Sequence, residues 1–245
     1  MTLQDILDHL AYGEFSHLFM GTGTEYDSDN DTTMPTVAAK KILPAVTLGL
    51  TELHKRFLLN ESKLTITLDG RTTYVLSSDK TVSNGGTDTY ITDTVENPFL
   101  NDVMKVERIL DDDGNELMFN KENNTLSIRA TSYNTLTVPT DIKLSSGLPV
   151  TTLTVIYRAD HPVVNKANAI ADPNNTAINL PLTHLEALLA YIAARIVTPL
   201  GFNGEAHEGN NYMAKFERAC QLLRAQGMQV DTGREITKLQ DRGWV

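Results

Sequence analysis

Helical periodicity occupies both ends of this chain, and strand alternation occupies its middle. Leu3, Ile6, Leu7 and Leu10 recur at three- and four-residue intervals, the spacing of one face of a short first helix. Gly13, Gly21 and Gly23 then interrupt the pattern, and the acidic, polar run from Thr22 to Thr33 reads as an exposed loop. A second helix starts near Pro35, a residue suited to the first helical position. Ile42, Val46, Leu50, Leu53 and Phe57 form its apolar stripe, and it should be finished by Asn60. Pro44 falls inside that stripe. Its ring and missing N–H predict a kink, or a fresh helix after a break at Leu43.

From residue 61 the period changes from about 3.6 to 2. Leu64, Ile66 and Leu68 alternate with Lys63, Thr65 and Thr67, as in a half-buried strand. Asp69-Gly70 reads as a tight turn, with Thr72 to Leu76 as the partner strand. Further strands are expected at Thr89 to Ile91, Met104 to Leu110, Glu116 to Phe119, Thr125 to Ile128, Thr135 to Val138 and Thr151 to Tyr157. Short runs rich in Thr, Val, Ile and Tyr, separated by turn residues, indicate an antiparallel sheet or small barrel.

Helical spacing returns after Pro181, where Leu185, Leu188, Leu189, Ile192 and Ile196 share a face, until Pro199 and Gly201 close the segment. Phe202 to Gly209 reads as a loop, with Asn210 or Asn211 as the cap of a last helix. Tyr212, Phe216, Ala219, Cys220 and Leu223 line one side of that helix, and Gly227 suits its C-terminal cap. The predicted fold class is α+β: a helical bundle built from both chain ends (1–60 and 161–227), an inserted antiparallel β-rich module (61–160), and an extended C-terminal tail (228–245). The only Trp of the chain, Trp244, lies in that tail, within Asp241-Arg242-Gly243-Trp244-Val245. A large ring beyond the last packed helix is better placed to dock on another surface than to build a core, which makes Arg242, Trp244 and Val245 the candidate docking residues.

Charge narrows the function classes. With 245 residues, 41% of them hydrophobic, the chain can bury a core, and its formal charge of -10 argues against broad nucleic-acid binding. His54-Lys55-Arg56 is the nearest approach to a basic cluster, and a solvated helix end accounts for it. Cys220, the sole cysteine, permits no intramolecular disulfide and sits at an apolar helix position, as a small buried hydrophobe does. The first residues have no basic region or long apolar run, so no signal peptide is expected, and no run reaches the length of a membrane span. Four Asn-x-Ser/Thr sequons, at Asn30, Asn60, Asn123 and Asn174, then read as loop residues.

No catalytic, cofactor-binding or metal-binding residue is assigned. Asp111-Asp112-Asp113-Gly114-Asn115-Glu116 superficially resembles a calcium loop, but lacks the twelve-residue ligand register, and Asp-Gly between two strands is a hairpin turn. His184 and His207 have no metal-ligand spacing and are read as surface or loop residues. There is no Gly-x-Ser-x-Gly elbow, and Ser83-Asn84-Gly85-Gly86 opens no helix that could cradle a phosphate. Asn97-Pro98-Phe99 and Asp160-His161-Pro162 read as strand connections.

The layout resembles the head-to-tail adaptor (connector) proteins of tailed bacteriophages. The resembling stretches are Leu48-Gly49-Leu50-Thr51-Glu52-Leu53-His54-Lys55-Arg56-Phe57, Tyr157 to Pro162, Glu208-Gly209-Asn210-Asn211-Tyr212-Met213-Ala214-Lys215-Phe216-Glu217, and Gly243-Trp244-Val245. The resemblance implies a structural virion protein assembled in the host cytoplasm, not an enzyme and without a cofactor. It would form a ring of twelve copies that joins the portal protein to a tail or nozzle protein. DNA would pass through the channel without specific binding, and no membrane would be involved. Twelve copies of charge -10 bring the ring to about -120, and an acidic lumen would keep DNA from adhering.

Two other classes compete with that reading. One is a binding module that recognises carbohydrate or protein through its β region, which would need Tyr74, Tyr90, Tyr133 and Tyr157 exposed together on one face. The other is a hydrolase with a scattered site, which would need acidic or His residues converging in a deep pocket.

Overall fold

The computed structural model describes residues 1–14, 36–94, 98–122, 124–197 and 205–227, with the side chains of 36–39 and 205–208 left aside. The protein is α+β, with helices and antiparallel sheets. It divides into two compact units, Leu59–His161 and the two flanking stretches Met1–Leu58 and Pro162–Val245.

The flanking stretches fold together as helices. α1 (Leu3–His9) opens with a reciprocal cap, in which the Asp5 N–H donates to Thr2 Oγ1 (3.2 Å) and the Thr2 N–H donates to Asp5 Oδ2 (2.7 Å). Leu3, Ile6, Leu7 and Leu10 are buried, as their spacing requires. The expected interruption at Gly13 does not occur there, because the helix widens into a π turn over Leu10–Glu14. Backbone bonds from Leu3 N to Thr176 O and from Ile178 N to Met1 O (both 2.9 Å) tie the start of the chain to its later part.

α2 (Thr36–Arg56) runs unbroken through Pro44, so the expected break at Leu43 is absent. Pro44 and Lys40 are both on the solvent side, where the Lys40 carbonyl that loses its helical partner can be hydrated. The other side of the helix, with Ile42, Val46, Leu50, Leu53 and Phe57, is buried and holds the two halves in line. Gly49 is a point of close approach: a Cβ there would lie 2.7 Å from Leu188 Cδ1 and 3.0 Å from Tyr191 Cδ1. A short α3 (Lys166–Ala171), not foreseen from periodicity, is capped by Asn165, whose side chain accepts from the N–H groups of Ala167 and Asn168.

α4 (Leu185–Val197) follows a 3₁₀ turn at Leu182–His184 and packs against α1, α2 and α5 (Glu205–Ala225). With several neighbours it buries more than one face: Ala187, Leu188, Ala190, Ile192, Ala193, Ala194 and Val197. Leu185, Leu189 and Ile196, expected on the apolar stripe, are only half-buried. α5 starts at Glu205, inside the segment expected to be a loop, so Asn210 and Asn211 are helical rather than capping. Phe216, Ala219, Cys220 and Leu223 are buried along it, and Tyr212 is half-buried. Gly227, at φ +69°, closes the helix with its N–H on the Arg224 carbonyl.

The residues from Leu59 to His161 form two antiparallel sheets. The first has the order β3 (Ile91–Thr92), β1 (Glu61–Thr67), β7 (Thr152–Ala159), β4 (Val103–Leu110); the second has β2 (Thr73–Val75), β6 (Thr135–Thr137), β5 (Arg129–Ser132). The β1–β2 hairpin read from Asp69-Gly70 is not formed, since β1 pairs with β3 and β7 while β2 pairs with β6. Glu116 to Phe119 and Thr125 to Ile128 are not strands but make single bridges, Leu110 with Glu116 and Phe119 with Ile128. The inner faces share one core that includes Ile66, Tyr74, Ile91, Ile109, Ile128 and Leu153. A bulge between Val106 and Arg108 takes Glu107 out of register. Its carboxylate is buried between Lys105 Nζ (3.0 Å) and Arg158 Nη2 (3.1 Å). Among the described residues no helix is long and apolar enough to cross a membrane.

Candidate functional site

The three docking residues expected from the sequence, Arg242, Trp244 and Val245, lie outside the described residues, as does the acidic run Thr22 to Thr33. Two features of the described part of the helical unit stand out.

The first is a clasp between helices from opposite ends of the chain. Arg56, in the last turn of α2, grips Glu217 of α5 through two parallel bonds, Nη1–Oε2 at 2.7 Å and Nη2–Oε1 at 2.8 Å. Its Nε donates to Glu52 one turn earlier (2.7 Å), and its guanidinium lies 4.7 Å from the centre of the Phe216 ring. The hydrogen bonds from Arg56 hold the Glu217 carboxyl below its ordinary range. The trio expected to be a solvated basic helix end is therefore divided among three roles. Arg56 is a tie, Lys55 is exposed, and His54 is buried with Nδ1 2.9 Å from the Leu50 carbonyl.

The second is an open groove of about 520 Å³ beside α1, with Asp5, Asp8 and Tyr12 on one wall and Leu182 and Leu185 on the other. Tyr12 and Leu182 are strongly exposed for apolar side chains, at 64% and 75%. The sequence marks only the apolar face of this helix, Leu3, Ile6, Leu7 and Leu10. Only the return of the chain at Leu182 makes that face into a groove.

The remaining polar features serve the fold. His184, expected at the surface, is buried in the 3₁₀ turn, edge-on to Phe57 with ring centres 4.9 Å apart. Burial, and secondarily the nearby His54, holds its pKa below the ordinary imidazole value. The side chain of His207 lies outside the described residues. Cys220 is buried and its thiol pKa is raised, first by desolvation, which suits a core residue rather than a nucleophile. Asp111 to Glu116 is a turn: the Asp111 carboxylate accepts from the N–H groups of Asp113 (3.0 Å) and Asn115 (2.8 Å). Asp112 staples that turn to the start of β7, accepting from the N–H groups of Thr151 (2.8 Å) and Thr152 (2.9 Å) and from both hydroxyls. Ser83 is likewise occupied, its N–H and hydroxyl on the Asp93 carboxylate. Among the described residues no group of three or more His, Cys, Asp or Glu side chains is arranged to hold a metal ion.

The tyrosine platform required for carbohydrate recognition is not assembled. Tyr74, Tyr90 and Tyr157 are core residues, and only Tyr133, between β5 and β6, is exposed. The hydroxyl of Tyr157 bonds Asp102 (3.0 Å), and that of Tyr90 donates to the Val75 carbonyl (2.9 Å).

No protein-family model matches the chain, and no curated protein is significantly similar to it.

Proposed function

We propose that the chain is a structural virion protein: the adaptor that forms a ring, of twelve copies by its resemblance, between a phage portal and the tail or nozzle protein, continuing the DNA channel. The observation that carries this reading is the division of labour along the chain. Residues from both ends share one helical unit, clasped by Arg56 and Glu217, while Leu59–His161 is a β unit with its own core. That division agrees with the helical bundle and inserted β module that the resemblance implies. The polar C-terminal segment with Trp244 is left to reach a partner surface. A ring of identical subunits closes by head-to-tail contacts, and the acidic charge keeps translocating DNA from adhering.

The test is the mass of the purified protein in solution, alone and mixed with portal rings from the same phage. The expected outcome is a small species alone and a ring on the portal, with attachment lost when Gln240 to Val245 is removed. No association at any salt concentration would refute the adaptor assignment. Unchanged attachment of the truncated protein would refute the docking role of the segment.

A further inference from the structure

Residues 176–184 form a strap between the start of the chain and α4. Leu3 N bonds Thr176 O and Ile178 N bonds Met1 O, both at 2.9 Å, and the 3₁₀ turn at Leu182–His184 leads the strap into α4. Three side chains pin it into the helical unit: Ile178, Leu180 and His184. Pro181, Leu182 and Thr183 between them are exposed. Two of the pins are apolar, and the third can take a proton.

The surroundings of His184 oppose that proton. The ring is buried, edge-on to Phe57, with Nδ1 3.0 Å from the Thr183 hydroxyl. Among the described residues its Nε2 has no hydrogen-bond partner and no carboxylate bonds the ring. It directly precedes the first turn of α4, where the helix end is positive. α2 brings Glu52, His54, Lys55 and Arg56. Arg56 holds the Glu52 carboxylate, and His54 opposes a charge on His184. α5 brings Glu217, also held by Arg56, and Arg224, whose guanidinium lies 5.9 Å from the centre of the Phe57 ring. α4 itself carries Glu186 and Arg195. From α1 and the residue before it come the Met1 ammonium, Asp5, Asp8 and His9, which line the groove together with Leu182.

We propose that His184 is an acid-operated catch: when its ring takes up a proton, the 3₁₀ turn and the strap leave the helical unit while α2, α4 and α5 stay packed. The Leu182 wall of the groove leaves with them.

The direction follows from linkage. Burial, and secondarily His54, holds the folded ring below the ordinary value of 6.5, so the released form takes up the proton first. The closed strap is fully favoured above that value and loses ground by up to about tenfold for each pH unit below it. A strap closed about a hundred to one at neutral pH would be half released at about pH 4.5. The Arg56–Glu217 clasp outlasts it, because the Glu217 carboxyl is held below its ordinary 4.5 and the pair is lost only as pH falls further. This catch does not depend on the ring assignment.

The test is hydrogen exchange of the full-length protein, read by mass spectrometry at about pH 7 and about pH 5 and corrected for the intrinsic rate. Protection over 176–184 should fall by up to about twenty-fivefold at the lower pH, while 213–223 in α5 keeps its own. His184→Phe and His184→Gln should each abolish that fall. In the unaltered protein the His184 imidazole, followed by NMR, should titrate below its ordinary value, a measurement that stands even if a variant does not fold. Undiminished protection of the strap at the lower pH would overturn the catch, as would equal loss over α5, since the unit would then open as a whole. Release that persists in both variants, or an imidazole that titrates at or above its ordinary value in the folded protein, would overturn it too.

Discussion

Replacing Arg56 tests whether the two ends of the chain are held together by the contact that most directly joins them. The pair is bidentate, at 2.7 and 2.8 Å, but the side chains are 23% and 46% exposed, so its strength is that of a well-formed surface pair rather than a buried one. That sets the Arg56–Glu217 coupling at about 1 kcal/mol. The bond to Glu52, four residues earlier in α2, adds about 0.3–0.5 kcal/mol, and the guanidinium over Phe216 about 0.5–1 kcal/mol. Arg56→Ala should therefore destabilise the helical unit by about 2 kcal/mol. Glu217→Ala should cost about 1 kcal/mol, and Arg56→Lys about 1–2 kcal/mol, because an ammonium cannot make the fork. The assay is urea unfolding followed by the helical circular-dichroism signal, for the two alanine variants and their double variant. A coupling energy indistinguishable from zero, or Arg56→Lys as stable as the parent, would refute the clasp. Arg56 holds the Glu217 carboxyl low, so this contribution is present above the ordinary carboxylate pKa of 4.5 and is lost as pH falls through the lower folded value.

Three further outcomes follow from the packing. Gly49→Ala gains about 1 kcal/mol of helix propensity but overpacks Leu188 and Tyr191 at a cost of about 1–3 kcal/mol; thermal melts should show it less stable than the parent, with Gly49→Leu worse, and a stabilised alanine variant would contradict the close approach. Glu107→Ala leaves the guanidinium of Arg158 short of its buried partner and should cost about 3 kcal/mol in denaturant unfolding of the β unit, whereas an effect under about 0.5 kcal/mol would show that the carboxylate is solvated. His184 is held neutral by burial, so the unfolded chain takes up its proton first; helical stability should decline as pH falls below about 6.5 and His184→Phe should flatten that decline, while an unchanged pH profile in the variant would assign it to other groups.

Much of the local structure could be read directly from residue order. The stripe Ile42, Val46, Leu50, Leu53, Phe57 and the face Phe216, Ala219, Cys220, Leu223 are buried as their period demands, because a helix turns its side chains by a fixed angle whatever surrounds it. β4 and β7 lie within two residues of their expected spans for the same reason. The candidate site was far less legible. Asp5, Asp8 and Tyr12 show only a polar helix face, and nothing in their order signals that Leu182 and Leu185 come to lie across from them.

The chain's own order therefore determined which segments coil, which extend, which faces are apolar and where the charges and the single Trp fall, since these depend on neighbours a few residues away. Tertiary structure alone decided the rest. It sent β2 to β6 instead of β1, carried α2 through Pro44, buried His184 and Glu107, and set Arg56 against Glu217. Each of these outcomes balances a local preference of one to a few kcal/mol against contacts between residues tens to more than a hundred positions apart, and those contacts exist only once the chain has folded.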